Sequence, residues 1–488
     1  MSLNAASKYR KFLLFGLLFT LSAVLHFPYF NKDIISAHVW RQSQTMTNIV
    51  NFYEEDFNIL NPRKNDRGDG SGIMRMEFPL YQWLCAALWK IFGKHIWIVR
   101  LFTFIIGLCS VVAIYFLNKI FWNRQSAAIG AAFCFSFSPA FFYYTICPLP
   151  DNLALCFGLW SLYFFYLYFD KVLYKYLFIG AIFGALSALC KLPFVLYFIV
   201  PFFGCIYDLI YNQEKNFKVW HLSAFAFLIL PALWYIKVVP QWHGNGIVKG
   251  ILDNQTAIST LIKYIAGNLI STFPELLINY AALPLFALGI VELIRLKHVS
   301  AFKIYSYCAL CLLLVLYWLY ELNMIGLDHD YYFFPFYPIL FLAVGGGFVY
   351  AEKLQGKVFR VVKPVVLSAV VLACMLRMAP RWKEEAPGFN MDLLRCKRDL
   401  QRITEKKALC VAGNDVSHHI FFYHLDRKGW AFHNDELNGT QLRYMIERGA
   451  RYLYSDSRAI EEKNDVKPHL DTLLYQCGSF HVFRLKIP

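Results

Sequence analysis

The chain has 488 residues, of which 58% are hydrophobic and 18% aromatic, and its mean hydropathy is +0.42. A soluble core of this length does not need so much apolar side chain, which excludes an ordinary water-soluble enzyme and makes a bilayer the solvent. The formal charge of +15 does not read as nucleic-acid binding, because Lys and Arg stand in short clusters between apolar runs and form no single stripe.

The first apolar run, 12–30, follows Lys8, Arg10 and Lys11 and lacks a small-residue cleavage site, so it reads as an uncleaved first span. Further runs of about 20 residues, the length a bilayer requires, lie near 96–121, 126–146, 152–170, 219–239, 276–295, 302–320, 331–351 and 364–380. Residues 176–211 read as a pair of spans broken at Lys191 and Pro193. With a cytoplasmic N-terminus, the clusters Lys119/Arg124, Lys171/Lys175, Lys215/Lys218, Arg295/Lys297/Lys303 and Lys353/Lys357/Arg360/Lys363 fall in cytoplasmic loops, as the positive-inside rule expects.

About eleven transmembrane helices result, and the odd number leaves 31–95, 240–275 and 381–488 outside. The expected organisation is a polytopic α-helical membrane domain over 1–380, including outer loop 31–95, followed by a small soluble α/β domain over 381–488. Residues 79–92 read as an interfacial helix. In the C-terminal domain, 408–413 and 450–455 read as strands, 436–448 as a helix and 381–407 as a solvated linker. The thirteen Cys are scattered, mostly within apolar runs, and no metal site is read from them. Cys410 and Cys477 are placed to meet an oxidising exterior, with an unbridged pair the expected outcome; the Gly413-Asn414-Asp415 turn lacks the spacing of a phosphate loop.

Polar residues near a bilayer are costly unless paired or facing a cavity, which singles out four clusters at outer span ends. They are His38 to Thr45 with Arg41 and Gln42, Arg75 to Tyr81 with Glu77, Pro148 to Asn152 with Asp151, and Asp328 to Tyr332 with His329, Asp330 and Tyr331. Lys191, at the break between two spans, calls for snorkelling room or an anionic partner. Carboxylates for proton abstraction beside Arg, Lys and His for an anion are the inventory for transfer from a phosphate leaving group. Structural roles stand beside this one. Asp151 suits a helix N-cap, Lys191 suits snorkelling, Glu77 suits a loop charge or a pair with Arg75, and His329 and Tyr331 suit an interfacial belt.

The ordered strings WRQSQT, NFYEE, EFPLY, SPAFFYYTICPLPDNLAL, GAIFGALSALCK and HDYYFFPFYP resemble the GT-C glycosyltransferases of the protein mannosyltransferase and aminoarabinose transferase type, glycosyltransferase family 39. The resemblance covers most of the membrane region and implies a GT-C fold. It implies an inverting transferase that moves a sugar from a polyprenyl-phosphate donor to a glycan, lipid or protein acceptor on the outer face, with no nucleotide donor and no metal or other cofactor. A bacterial inner membrane is the implied location, with the N-terminus cytoplasmic and the C-terminal domain periplasmic. Asp151 matches the family's acid at the start of the fourth span. The family's Asp-Glu pair after the first span falls at Arg41-Gln42, the subgroup position at Gln44, and a lysine of aminoarabinose transferases at Phe78. Glu77 is therefore the preferred base, with Asp33 and Asp151 behind it, and Arg41, Gln42, Arg75, Lys191, His329, Asp330 and Tyr331 are assigned to substrate. The competing readings are a transporter or flippase for lipid-linked glycans and a noncatalytic glycan-binding relative.

Overall fold

The computed structural model describes residues 3–487 apart from 212–219, 243–248, 254–255, 296–298 and 354–356. Lys215, Lys218 and Lys297 of the basic clusters lie outside the described residues. Two compact units result, and they do not follow one chain boundary. The first comprises Met1–Asn31, Met76–Phe78 and Val99–Pro380; the second comprises Lys32–Arg75, Pro79–Ile98 and Arg381–Pro488.

The first unit is helical. Among the described residues, eight helices are long and apolar enough to cross a membrane, and Leu13–Tyr29, Tyr174–Cys190 and Leu283–Ile294 are shorter apolar helices. The expected polytopic fold is present, but two expected segments are placed differently. The run 126–146 is not one span: helix Gln125–Ser136 stops, and Pro139–Tyr144 begins anew. Pro139 drives the preceding Ser138 into an extended conformation, and the Ser138 hydroxyl donates to the Leu277 carbonyl at 2.7 Å. Segment 240–275, expected outside, contributes most of the apolar helix Ile258–Ile278, whose mean hydropathy of 1.2 is the lowest of the eight. Its latter part, Asn268–Ile278, is a wide π-helix around Pro274, and Asn268, Thr272 and Glu275 dilute the apolar run that sequence reading looks for.

Helix Tyr337–Lys353 is buried on nearly all sides and carries Gly345, Gly346 and Gly347. A Cβ at Gly347 would meet the Leu285 carbonyl oxygen at 2.0 Å, and one at Gly289 would meet the Ala343 carbonyl oxygen at 1.7 Å. Small residues thus let this helix and Leu283–Ile294 touch backbone to backbone, the kind of packing that binds helices where lipid supplies no hydrophobic drive. That rigid contact fixes the turn Asp330–Phe336 immediately before it.

The second unit holds a five-stranded sheet of β1 (Leu409–Gly413), β2 (Lys428–Ala431), β3 (Ala450–Ser455), β4 (Leu470–Cys477) and β5 (Phe480–Leu485), in the order β2-β1-β3-β5-β4. β1 runs parallel to β2 and β3, whereas β5 is antiparallel to both β3 and β4. Val411, Leu453, Leu442, Ile446 and Ile460 fill the core between the sheet and helix Gly439–Glu447. Asn438 and Gln441 close a reciprocal capping box at that helix's start. The early outer segment belongs to this unit. Asp66 bridges in parallel to Gly429, and the Arg67 amide donates to the Gly429 carbonyl at 2.8 Å, covering the β2 edge. Residues 79–92 form the helix Leu80–Phe92. The disulfide joins Cys396 to Cys477, and Cys410 is a free buried thiol on β1. The pairing considered between Cys410 and Cys477 fails because Cys410 points into the core, while Cys396, at the end of helix Met391–Arg395, lies beside the end of β4.

Candidate functional site

The geometry starts at a break in the chain. Helix Tyr174–Cys190 ends at Lys191, whose backbone is extended, and a 3-10 turn Leu192–Phe198 carries the chain onward. Pro193 has no amide hydrogen to give the Leu189 carbonyl four residues back, which accepts instead from the Tyr235 hydroxyl at 3.0 Å, so the α-helix ends before the proline and the lysine leaves it in an apolar setting. Its Nζ lies 3.2 Å from Asp151 Oδ1 and 4.8 Å from the Tyr332 ring centre, with Tyr331 on the same side. Lys191 therefore forms a buried ion pair where snorkelling was the structural alternative.

Asp151 is 1% exposed and sits in the first turn of helix Pro150–Lys171. It is not the N-cap: Leu149 holds that position, and no side chain caps the helix. Its other oxygen, Oδ2, is buried without a hydrogen-bond partner among the described residues. A buried carboxylate oxygen without a protein partner costs free energy and marks a place where a ligand proton or hydroxyl would be stabilising. The loop ahead of Asp151 is held firmly. The Asn152 amide donates to the carbonyls of Tyr144, Cys147 and Leu149, and the buried Arg100 donates to that of Ile146 at 3.0 Å.

The cluster His329 to Tyr332 closes the same site. Asp330 is buried and accepts from the Tyr144 hydroxyl at 2.5 Å, while the Tyr144 ring meets Tyr331 edge-on at 6.0 Å. His329 is partly exposed and rests edge-on against both Tyr331 and Tyr332. Glu77 also belongs to the first unit, in a short segment laid on the end of helix Tyr174–Cys190. The Phe78 amide donates to the Leu189 carbonyl at 3.2 Å, and the Trp234 indole donates to that of Met76 at 3.0 Å. Glu77 and Asp151 both act electrostatically on Cys190 and on Tyr235, so the two carboxylates face one neighbourhood.

The structure thus gathers Glu77, Asp151, Lys191, His329, Asp330 and Tyr331 in the first unit. Arg41, Gln42 and Arg75 belong to the second unit. There Arg41 donates to Gln44 Oε1, Gln42 Nε2 to the Ala37 carbonyl, and Arg75 to the Leu60 carbonyl and Asn61 Oδ1. Sequence reading missed Glu321. It follows helix Ala301–Tyr320, is 7% exposed, leaves Oε2 unpartnered among the described residues, and feels the charge of Lys191. Burial pushes its pKa up to about 7, with Lys191 pulling the other way. The available signal was a lone acid closing an apolar run.

Residues 77–235 match the family model described as dolichyl-phosphate-mannose-protein mannosyltransferase. No curated protein matches the chain in sequence. In structure the chain is similar to ArnT from Cupriavidus metallidurans in the apo state, with a TM-score of 0.67, 10% identity and 98% of each chain covered. The same protein bound to undecaprenyl phosphate gives a TM-score of 0.65 at 10% identity, covering 96% of this chain and 97% of that one. The Archaeoglobus fulgidus oligosaccharyltransferase in the apo form gives 0.58 at 13% identity, covering 92% of this chain and 70% of that one. The chain therefore has the GT-C fold, and over residues 77–235 it matches the dolichyl-phosphate-mannose-protein mannosyltransferase family.

Proposed function

We propose that this protein is an integral-membrane, inverting glycosyltransferase that moves a sugar from a polyprenyl-phosphate donor to a glycan, lipid or protein acceptor. The observation that carries the proposal is the buried Asp151–Lys191 pair with its unpartnered oxygen, set at a helix break beside Tyr331 and Tyr332. The likeness to a protein solved with undecaprenyl phosphate supports the choice of donor. The oxygen of an acceptor hydroxyl attacks the anomeric carbon, the bond from that carbon to the phosphate oxygen breaks, and the polyprenyl phosphate leaves with the electron pair. Glu77 takes the hydroxyl proton as general base, and Asp151 orients the hydroxyl through its open oxygen.

An ammonium group carries three donors, so Lys191 can serve Asp151 and a departing phosphate oxygen together. His329, Asp330 and Tyr331 are assigned to donor contacts, and Arg41, Gln42 and Arg75 keep that assignment on sequence grounds alone. A divalent metal is not called for. We assign the protein to a bacterial plasma membrane, with the N-terminus cytoplasmic and the C-terminal domain periplasmic; the Cys396–Cys477 disulfide suits an oxidising exterior.

The test is sugar release from a panel of radiolabelled polyprenyl-phosphate sugars by the purified protein, with Glu77→Gln and Asp151→Asn beside it. Release from one donor that falls about 10²–10⁴-fold in either variant establishes the transferase. Carrier binding with no release from any donor favours a flippase or a noncatalytic relative, the latter being the reading that the loss of acids at Arg41-Gln42 would fit.

A further inference from the structure

The second unit contains a cavity of about 570 Å³ at the carboxyl ends of β1 and β3. β1 leads through helix Ile420–Leu425 to β2 on one side, whereas β3 leads to β4 at the far edge on the other, so the chain turns in opposite directions after these two neighbouring strands. In open α/β sheets, ligands bind in the crevice at such a reversal.

The polar groups there fall into two sets. Asp415 commits both oxygens to its own loop, accepting from Ser417, Ile420 and Phe421, and is structural. Asp456 accepts from the Asn414 amide and from Asn390 Nδ2, both at 2.9 Å, and the three residues line one wall. His419 lines the cavity and is 8% exposed, yet its Nδ1 has no hydrogen-bond partner among the described residues. Leaving such a nitrogen unmatched costs free energy, which a ligand hydroxyl would offset. The rings of Trp40 and Phe389, both half-buried, add flat apolar surface.

The charge pattern selects the ligand class. Burial, with Lys64 acting in the same direction, lowers the His419 pKa to about 3, so the ring is neutral at physiological pH. The aspartates oppose an anion, and Lys64 and Arg41 act on His419 with the opposite sign, so the field favours neither charge. No group of three or more His, Cys, Asp or Glu side chains among the described residues is arranged to hold a metal ion. A neutral molecule rich in hydroxyls, with an apolar face for the rings, meets all of these conditions.

We propose that this cleft binds a neutral saccharide, whose hydroxyls complete His419 and share Asn390, Asn414 and Asp456 while its apolar face rests on Trp40 and Phe389. The site stands apart from the transferase reading, since a saccharide would bind here whether or not the first unit turns over a donor. The test is saturation-transfer NMR on the full chain in lipid nanodiscs, with methyl α-mannoside, maltotriose, cellotriose and chitotriose as probes and phosphate and spermidine as charged controls. At least one saccharide is expected to bind, and His419→Phe to weaken it 10-fold or more with no loss of thermal midpoint, because the change removes an unmatched buried nitrogen. Val416, 75% exposed at the rim, provides Val416→Trp as a second block should the first variant fail to fold. Binding of the charged controls alone, no binding of any saccharide, or saccharide binding unchanged in folded His419→Phe (in Val416→Trp, should that variant not fold) overturns the proposal.

Discussion

Two buried charges, one in each unit, are treated in opposite ways. Arg427 is 1% exposed, and its guanidinium donates to Thr404 Oγ1 and to the carbonyls of Gln401, Thr404, Leu425 and Asp426. Asp151 is as deeply buried, but one oxygen has Lys191 and the other has no partner among the described residues. A charge saturated by neighbouring backbone holds a fold together, whereas one left half-satisfied stores a binding capacity that the fold does not use.

The largest effect on stability should therefore come from the saturated charge. Arg427→Met strands four carbonyls and a hydroxyl, and chemical unfolding of the second unit should show a loss of ~3–5 kcal/mol. A change under ~1 kcal/mol would mean that Arg427 is not the anchor its contacts suggest. Next comes Glu321, whose folded pKa of about 7 lies above its ordinary value of 4.5. The folded state then holds the proton more tightly, so the stability this group contributes is fully present below pH 4.5 and lost as pH rises through 7, by up to ~3 kcal/mol. Thermal unfolding of Glu321→Gln should be flatter over that window, and parallel pH curves for the two proteins would remove the argument.

Tyr144→Phe should cost a further step less, ~1.5–3 kcal/mol, by taking the hydroxyl donor from buried Asp330. The smallest shift belongs to the double change Asp151→Leu with Lys191→Met. Replacing a whole buried pair by apolar groups is often neutral or stabilising, so the midpoint should hold while turnover vanishes. A large loss of stability in that variant would make the pair structural and erase the contrast with Arg427.

Much of this was legible in the chain itself, for a physical reason. Asp151, Lys191 and Asp330 interrupt apolar runs at span ends, where polarity is costly enough to be informative. Strands β1 and β3 were readable from short apolar runs between charged helices. Glu321 escaped because its significance lies in Lys191, some 130 positions earlier in the chain, which only folding brings near. The helix Ile258–Ile278 was missed because a π-turn with Pro274 breaks the 3.6-residue rhythm. The partner of Cys477 could not be found from spacing, since 81 residues separate it from Cys396. The role of segment 32–75 in covering the sheet edge was equally hidden, because an isolated bridge such as Asp66 to Gly429 carries no local pattern.

The most direct test concerns Lys191, which lies between the buried Asp151 carboxylate and the rings of Tyr331 and Tyr332. The affinity of undecaprenyl phosphate should be measured for the full chain in nanodiscs, wild type against Lys191→Met. A drop of about tenfold or more, roughly 1.4 kcal/mol, is predicted if Lys191 serves the carrier phosphate. Equal affinity in a folded Lys191→Met protein would contradict the account and leave the Asp151–Lys191 pair without a role in donor binding.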